Sequence, residues 1–153
     1  MTGLSPHFTL AELTHTLQVA YAAENAAPPA DVLTALSALC TTLLEPLRGH
    51  FHAPVVVHSG YRCPGLNAAI GGATHSQHML GQAADVHVDG VSLQEVFDWI
   101  RHSGLPFGQV ILEGHTPNAP SWVHLSLGEP WRPASICRQA LTFDGTRYRT
   151  ALS

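Results

Sequence analysis

The chain has 153 residues and a mass of 16.4 kDa, which fits one domain with an ordinary core, since a chain of this length buries roughly 68–70% of its unfolded surface. Hydrophobic residues make up 45% and charged residues 12%, against a usual ~25%, so disorder driven by charge repulsion is excluded, as are collagen, coiled-coil and low-complexity classes. All seven basic residues are arginine, eleven acids outnumber them and the formal charge is −4, so a groove neutralising many phosphates is not expected and nucleic acid is not an expected partner.

Eleven histidines are the compositional anomaly, and each is a possible metal ligand. Cys40, Cys63 and Cys137 are odd in number, widely spaced and without a CxxC pair. They propose neither a disulfide framework nor a thiolate zinc site, and the default compartment is reducing. The segment Met1 to Phe8 has no basic or apolar leader character, and no 18-residue apolar run follows. The expectation is a soluble monomer without its own signal peptide and without membrane insertion.

Thr9-Leu-Ala-Glu12 has capping-box spacing and predicts a short helix beginning there. After the Asn25 to Pro29 turn, Val32, Leu33, Leu36, Leu39, Cys40, Leu43, Leu44 and Leu47 recur at three- and four-residue steps, predicting an amphipathic helix over 30–48 bent near Pro46. Pro54 to His58 reads as a β-branched strand that delivers Tyr61 and Arg62 to its end. A Gly-, Ser- and Asn-rich stretch follows, with a short helix around 66–70, and strand character resumes over 83–89. Ser92-Leu-Gln-Glu95 is a second capping box opening a helix to about His102, and 109–113 and 122–127 read as strands. Asp144-Gly145 between Leu141-Thr-Phe143 and Thr146-Arg-Tyr148 signals a hairpin within a C-terminal extension, 128–153. The expected class is α+β, with helices packed on a small, mostly antiparallel sheet, and 1–153 forming a single domain.

Strand alternation puts Asp85, His87 and Asp89 on one face and Ala84, Val86 and Val88 on the other. It likewise separates Trp122, His124 and Ser126 from Val123, Leu125 and Leu127, and places Glu113 at a strand end on the face of Gln109 and Ile111. The candidate ligands are His78, Asp85 and His124, because two imidazoles and a carboxylate leave a fourth position for water, the pattern of a catalytic zinc site.

The string Ser76-Gln-His78-Met-Leu-Gly81-Gln-Ala-Ala-Asp85, followed by Trp122-Val-His124, resembles the zinc D-alanyl-D-alanine carboxypeptidase family, wall peptidases that share the hedgehog-like fold. Leu44-Glu-Pro-Leu-Arg48, Ser59-Gly-Tyr-Arg-Cys-Pro-Gly-Leu-Asn67 and Gly71-Gly-Ala73 extend the resemblance to short, single-domain, phage-type members, over about Phe8 to Leu127. The resemblance implies one Zn2+ held by His78, Asp85 and His124, and a stem peptide of peptidoglycan as substrate. It implies further that Arg62 contacts the substrate carbonyl or terminal carboxylate, that Ser76 contacts substrate, and that Glu113 accepts a proton from the metal's water. Several branches place an acid three residues before the last ligand, where this chain has Ser121. Cytoplasmic synthesis, with delivery to the wall by phage lysis or in a virion, agrees with the absent leader.

Other readings stand beside this one. His7, His15, His50, His52, His102 and His115 read as surface or core histidines, His75 and His87 as either supports of a neighbouring ligand or, more readily, solvent-exposed, and Trp122 as packing at the pocket edge. His87-Val-Asp89 with His124 and Arg132 imitates the triad of a non-haem iron oxygenase, although the helical first third argues against that fold. A zinc-containing wall-binding or structural module without catalysis is the non-enzyme alternative.

Overall fold

A computed structural model gives the structure and describes residues 3–114 and 122–151. Strands β1 (Gly3–Ser5) and β2 (Phe8–Thr9) form a small antiparallel pair, a feature the sequence pattern does not announce. Helix α1 (Leu10–Thr14) starts at a complete capping box: Thr9 Oγ1 accepts from Glu12 N, and the Glu12 carboxylate accepts from Thr9 N at 2.8 Å. A 3-10 turn, Val19–Tyr21, leads into α2 (Ala22–Asn25).

The expected long helix is present as α3 (Ala30–Leu39) and α4 (Glu45–Phe51), joined by a π turn over Cys40–Leu44. The irregularity sits a turn earlier than the bend expected at Pro46. Proline has no N–H and its ring crowds the preceding turn, so a wider turn ahead of it relieves both conflicts while the axis continues. By length and composition Ala30–Phe51 could cross a membrane, but here Leu36, Leu39, Cys40, Leu43, Leu44 and Leu47 are fully buried. Their surface is removed from water by the protein's own sheet, at ~1.5–3 kcal/mol for each large apolar side chain.

The main sheet contains β3 (Val55–Ser59), β4 (Ala83–Val88), β5 (Phe107–Glu113), β6 (Trp122–Leu127), β7 (Gln139–Phe143) and β8 (Tyr148–Thr150). Its order is β3-β4-β6-β5-β7-β8. Every pairing is antiparallel except β5 with β7, which run parallel, so the sheet is mixed although mostly antiparallel. Helix α5 (Pro64–Ala69) follows β3, and α6 (Leu93–His102) follows β4, with Ser92 Oγ accepting from Glu95 N as its cap. The fold is α+β, as expected.

The final hairpin forms with a longer loop than the two residues expected from Asp144-Gly145. Phe143 pairs with Tyr148, so residues 144–147 make the turn. Asp144 Oδ1 accepts from Thr146 N at 2.8 Å and Arg147 N at 3.0 Å, a side-chain-stabilised turn that a two-residue loop could not contain.

One face of the sheet carries Val86, Val88, Val110, Leu112, Val123 and Leu125 into a single core with α3, α4 and α6. The opposite face carries two adjacent cross-strand rows. One runs Ser59, Asp85, His124, Ile111, Leu141, Thr150, and the other runs Trp122, Glu113, Phe143, Tyr148. Directly opposed residues lie about 4.5–5.5 Å apart, so side chains remote in sequence meet on this face.

Candidate metal centre

His78 lies in a 3-10 turn, Gln77–Leu80, that begins where Ser76 Oγ accepts from His78 N and ends at Gly81. Gly81 has φ +71°, and a Cβ there would lie 2.7 Å from Val32 O, so both conformation and space demand glycine. The imidazole is fixed by its Nδ1, 2.7 Å from Gly60 O. A carbonyl only accepts, so Nδ1 carries the hydrogen and Nε2 is turned toward Asp85 Oδ2, at 3.4 Å. Arg62 N donates back to His78 O at 3.1 Å, tying the end of β3 to the same turn.

Asp85 and His124 are register partners on β4 and β6, with His124 Nδ1 3.0 Å from Asp85 Oδ1. Ligand atoms of His78, Asp85 and His124 all lie within 4.8 Å of one another. Burial alone would push the Asp85 carboxyl up, but the charge of His78 and hydrogen bonds from His124 and His78 outweigh it and hold the group well below the usual carboxylate range. With the hydrogen on Nδ1, Nε2 of His78 presents a lone pair to the space it shares with Asp85 and His124. Two imidazoles and one carboxylate, with His78 and Asp85 buried, His124 half-buried and a backbone carbonyl behind His78, form a donor set that fits a divalent transition metal.

Glu113 ends β5, half-buried, and its Oε2 accepts from Trp122 Nε1 at 2.9 Å. Trp122 is therefore a donor to the acid, beyond the packing role expected of it. Burial and then the nearby Asp85 charge push the Glu113 carboxyl up, while His124, Trp122 and His78 hold the rise back. Arg62 is drawn below the usual guanidinium range by burial, opposed by Asp85 and Glu113, and its Nε has no hydrogen-bond partner among the described residues. A cavity of about 710 Å³ is lined by His78, Asp85, His124, Glu113, Arg62 and Ser76. A second cavity of about 370 Å³ adjoins it, sharing Ser59, Arg62 and Ile70.

The structure thus gathers all six expected site residues around one space. It does not gather the iron-type alternative: among the described residues the three-donor group is His78, Asp85 and His124, not His87, Asp89 and His124. His87 Nδ1 lies 2.6 Å from His58 Nε2, and Arg132 donates to Gln77 Oε1 at 3.1 Å. His7 meets Glu45, His50 stacks on Trp99 and His102 faces Asp98 O, in keeping with structural roles. Cys40 is buried and its thiol is pushed up to about 12, first by burial. His115 and Ser121 lie outside the described residues.

Sequence reasoning missed Asn25. It is fully buried, and its Nδ2 donates to Thr14 O at 2.6 Å and Tyr61 O at 3.0 Å, while Oδ1 accepts from Cys63 N at 2.8 Å. It fastens both sides of Arg62 to α1, but a lone Asn near a Pro-containing turn carries no local signal beyond turn formation. Phe143 and Tyr148 also line the large cavity and were not foreseen there.

A family model described as Peptidase M15 matches residues 6–126, well over half of the chain. No curated protein matches it.

Proposed function

Because the chain belongs to the peptidase M15 family, whose members are metal-dependent peptidases, we propose that it is a zinc peptidase cleaving a peptide bond of bacterial peptidoglycan stem peptides, in the manner of a D-alanyl-D-alanine carboxypeptidase. The observation that carries this reading is the convergence of His78, Asp85 and His124 with Glu113 and Arg62 around one cavity. Residues 1–153 act as one domain in this reading.

When bound by His78, Asp85 and His124, the metal supplies a Lewis acid and a water made acidic near neutral pH. The Gly60 carbonyl fixes the tautomer of His78, so its Nε2 is presented without a search over ring orientations. Trp122 occupies Oε2 of Glu113, which leaves Oε1 as the proton acceptor and later the donor to the departing amine. The raised pKa of Glu113 suits both halves of that exchange. Arg62, positive and partly stripped of water, stabilises the charge that grows on the substrate carbonyl oxygen or holds the terminal carboxylate. Ser76, besides capping the His78 turn, lines the same space and contacts the peptide.

The test begins with the metal content of protein purified without added metal. Digestion of peptidoglycan and of a stem pentapeptide follows, with products read by mass spectrometry before and after chelation. One zinc and a chelator-sensitive product are expected. His78→Ala should lose the ion, while Glu113→Gln should keep it and lose about 10²–10⁴ in turnover. One zinc with no product from either substrate would overturn the peptidase reading in favour of a binding module, and full activity in Glu113→Gln would remove the base from Glu113.

A further inference from the structure

The family match ends at residue 126, yet two side chains beyond it face the metal cavity: Phe143 and Tyr148. Parallel pairing of β7 with β5 sets Phe143 opposite Glu113, and β8 sets Tyr148 opposite Phe143. The two rings stack with centroids 4.4 Å apart and planes at 29°. An aromatic surface therefore begins one strand away from the proton acceptor. After burial, the charges of Glu113 and then Asp85 push the Tyr148 phenol up.

The surface is only partly covered, with Phe143 half-buried and Tyr148 56% exposed. Its support is fixed. Arg138, just before β7, donates to Leu105 O at 2.6 Å and Ser103 O at 2.7 Å and lies 4.5 Å from the Phe107 ring centroid. Gln109 and Gln139 side chains bond at 2.8 Å, and Ala151 N donates to Ala140 O at 2.9 Å. A stacked aromatic pair left open toward a reaction cavity presents a large apolar area with few rotatable bonds to order.

We propose that Phe143 and Tyr148 form a subsite that receives an apolar side chain of the substrate beside the scissile bond, making the β7–β8 hairpin a specificity element. The inference rests on the peptidase reading above. A sugar ring could lie on the same rings, and the test separates that occupant from a side chain.

The experiment uses the zinc-loaded full chain and stem-type pentapeptides that carry Ala or Gly at one position at a time beside the scissile bond. The wild type should prefer Ala over Gly at one position by about tenfold in kcat/KM. Phe143→Ala with Tyr148→Ala should bring that ratio to near one, the larger loss falling on the Ala peptide and through KM, with metal content unchanged. Tyr148→Phe should keep the preference. Should the double variant not fold, Tyr148→Ala alone, altering an exposed ring on an edge strand, should lower the ratio at least threefold. A ratio that survives these changes, or a loss falling equally on both peptides, overturns the subsite, as does dependence on attached glycan instead of on the side chain. A wild type that cleaves none of the peptides counts against the peptidase reading. Calorimetric binding of the same Ala and Gly peptides then judges the subsite, and equal affinities overturn it.

Discussion

Trp122→Phe isolates the hydrogen bond that holds Glu113. It keeps a flat ring near His58, whose centroid is 6.2 Å from that of Trp122, and removes the Nε1–H that reaches Glu113 Oε2 at 2.9 Å. A hydrogen bond to a charged group contributes ~1.5–3 kcal/mol, and 1.36 kcal/mol is one factor of ten. The lost donor favoured the ionised carboxylate, whereas burial and Asp85, which both push the carboxyl up, remain. A base must be ionised to act, so a further rise moves the acid limb of the pH profile to higher pH. On that limb kcat/KM should fall about tenfold, the loss should shrink as pH rises past the limb, and metal content should not change. A steady-state pH profile on a stem pentapeptide, with metal analysis of the same samples, reads all three. An acid limb that stays in place, with kcat/KM within twofold of wild type along it, would refute the claim that Trp122 positions the acid.

Two further predictions concern the frame around the site. Asn25→Ala strands Thr14 O, Tyr61 O and Cys63 N, and should cost ~2–4 kcal/mol in urea unfolding; a loss under 0.5 kcal/mol would remove Asn25 from the frame. Glu45 is held below the usual carboxylate range: burial works against this, but bonds from Ser5 Oγ at 2.7 Å and from the His7 backbone and ring prevail. Its stabilising effect is complete above the ordinary glutamate value and fades as pH falls through the lower folded one. The melting-temperature gap between wild type and Glu45→Gln should therefore narrow as pH falls below the ordinary glutamate value, and a constant gap would contradict the assignment.

Local features of the fold were legible because each leaves a short-range trace. The capping residues Thr9 and Ser92 mark helix starts, the Leu stripe marks the long helix, and alternation in 83–88 and 122–127 turns Asp85 and His124 to one face. The triad was legible because alternation and the Ser76–Asp85 string agree. What escaped depends on which strand lies beside which. Nothing within 139–143 states that it pairs in parallel with 107–113, so the presence of Phe143 and Tyr148 at the cavity could not be read. Asn25 escaped for the same reason, since its partners are 11 to 38 residues away. The π turn over Cys40–Leu44 was not foreseen, because Pro46 states that a conflict exists and not how or where the chain relieves it.

The two rows of opposed side chains carry a consequence for how such a sequence can change. Spacing within a row is fixed by the gap between strands, which is indifferent to how many residues connect them. Connecting segments can thus lengthen or shorten without moving Asp85 relative to His124, or Glu113 relative to Phe143. A single residue deleted inside β4 before Asp85 does the reverse: it turns that carboxylate toward the core and a valine toward the cavity. Variation among relatives should accordingly concentrate in loop length, with strand length preserved to the residue.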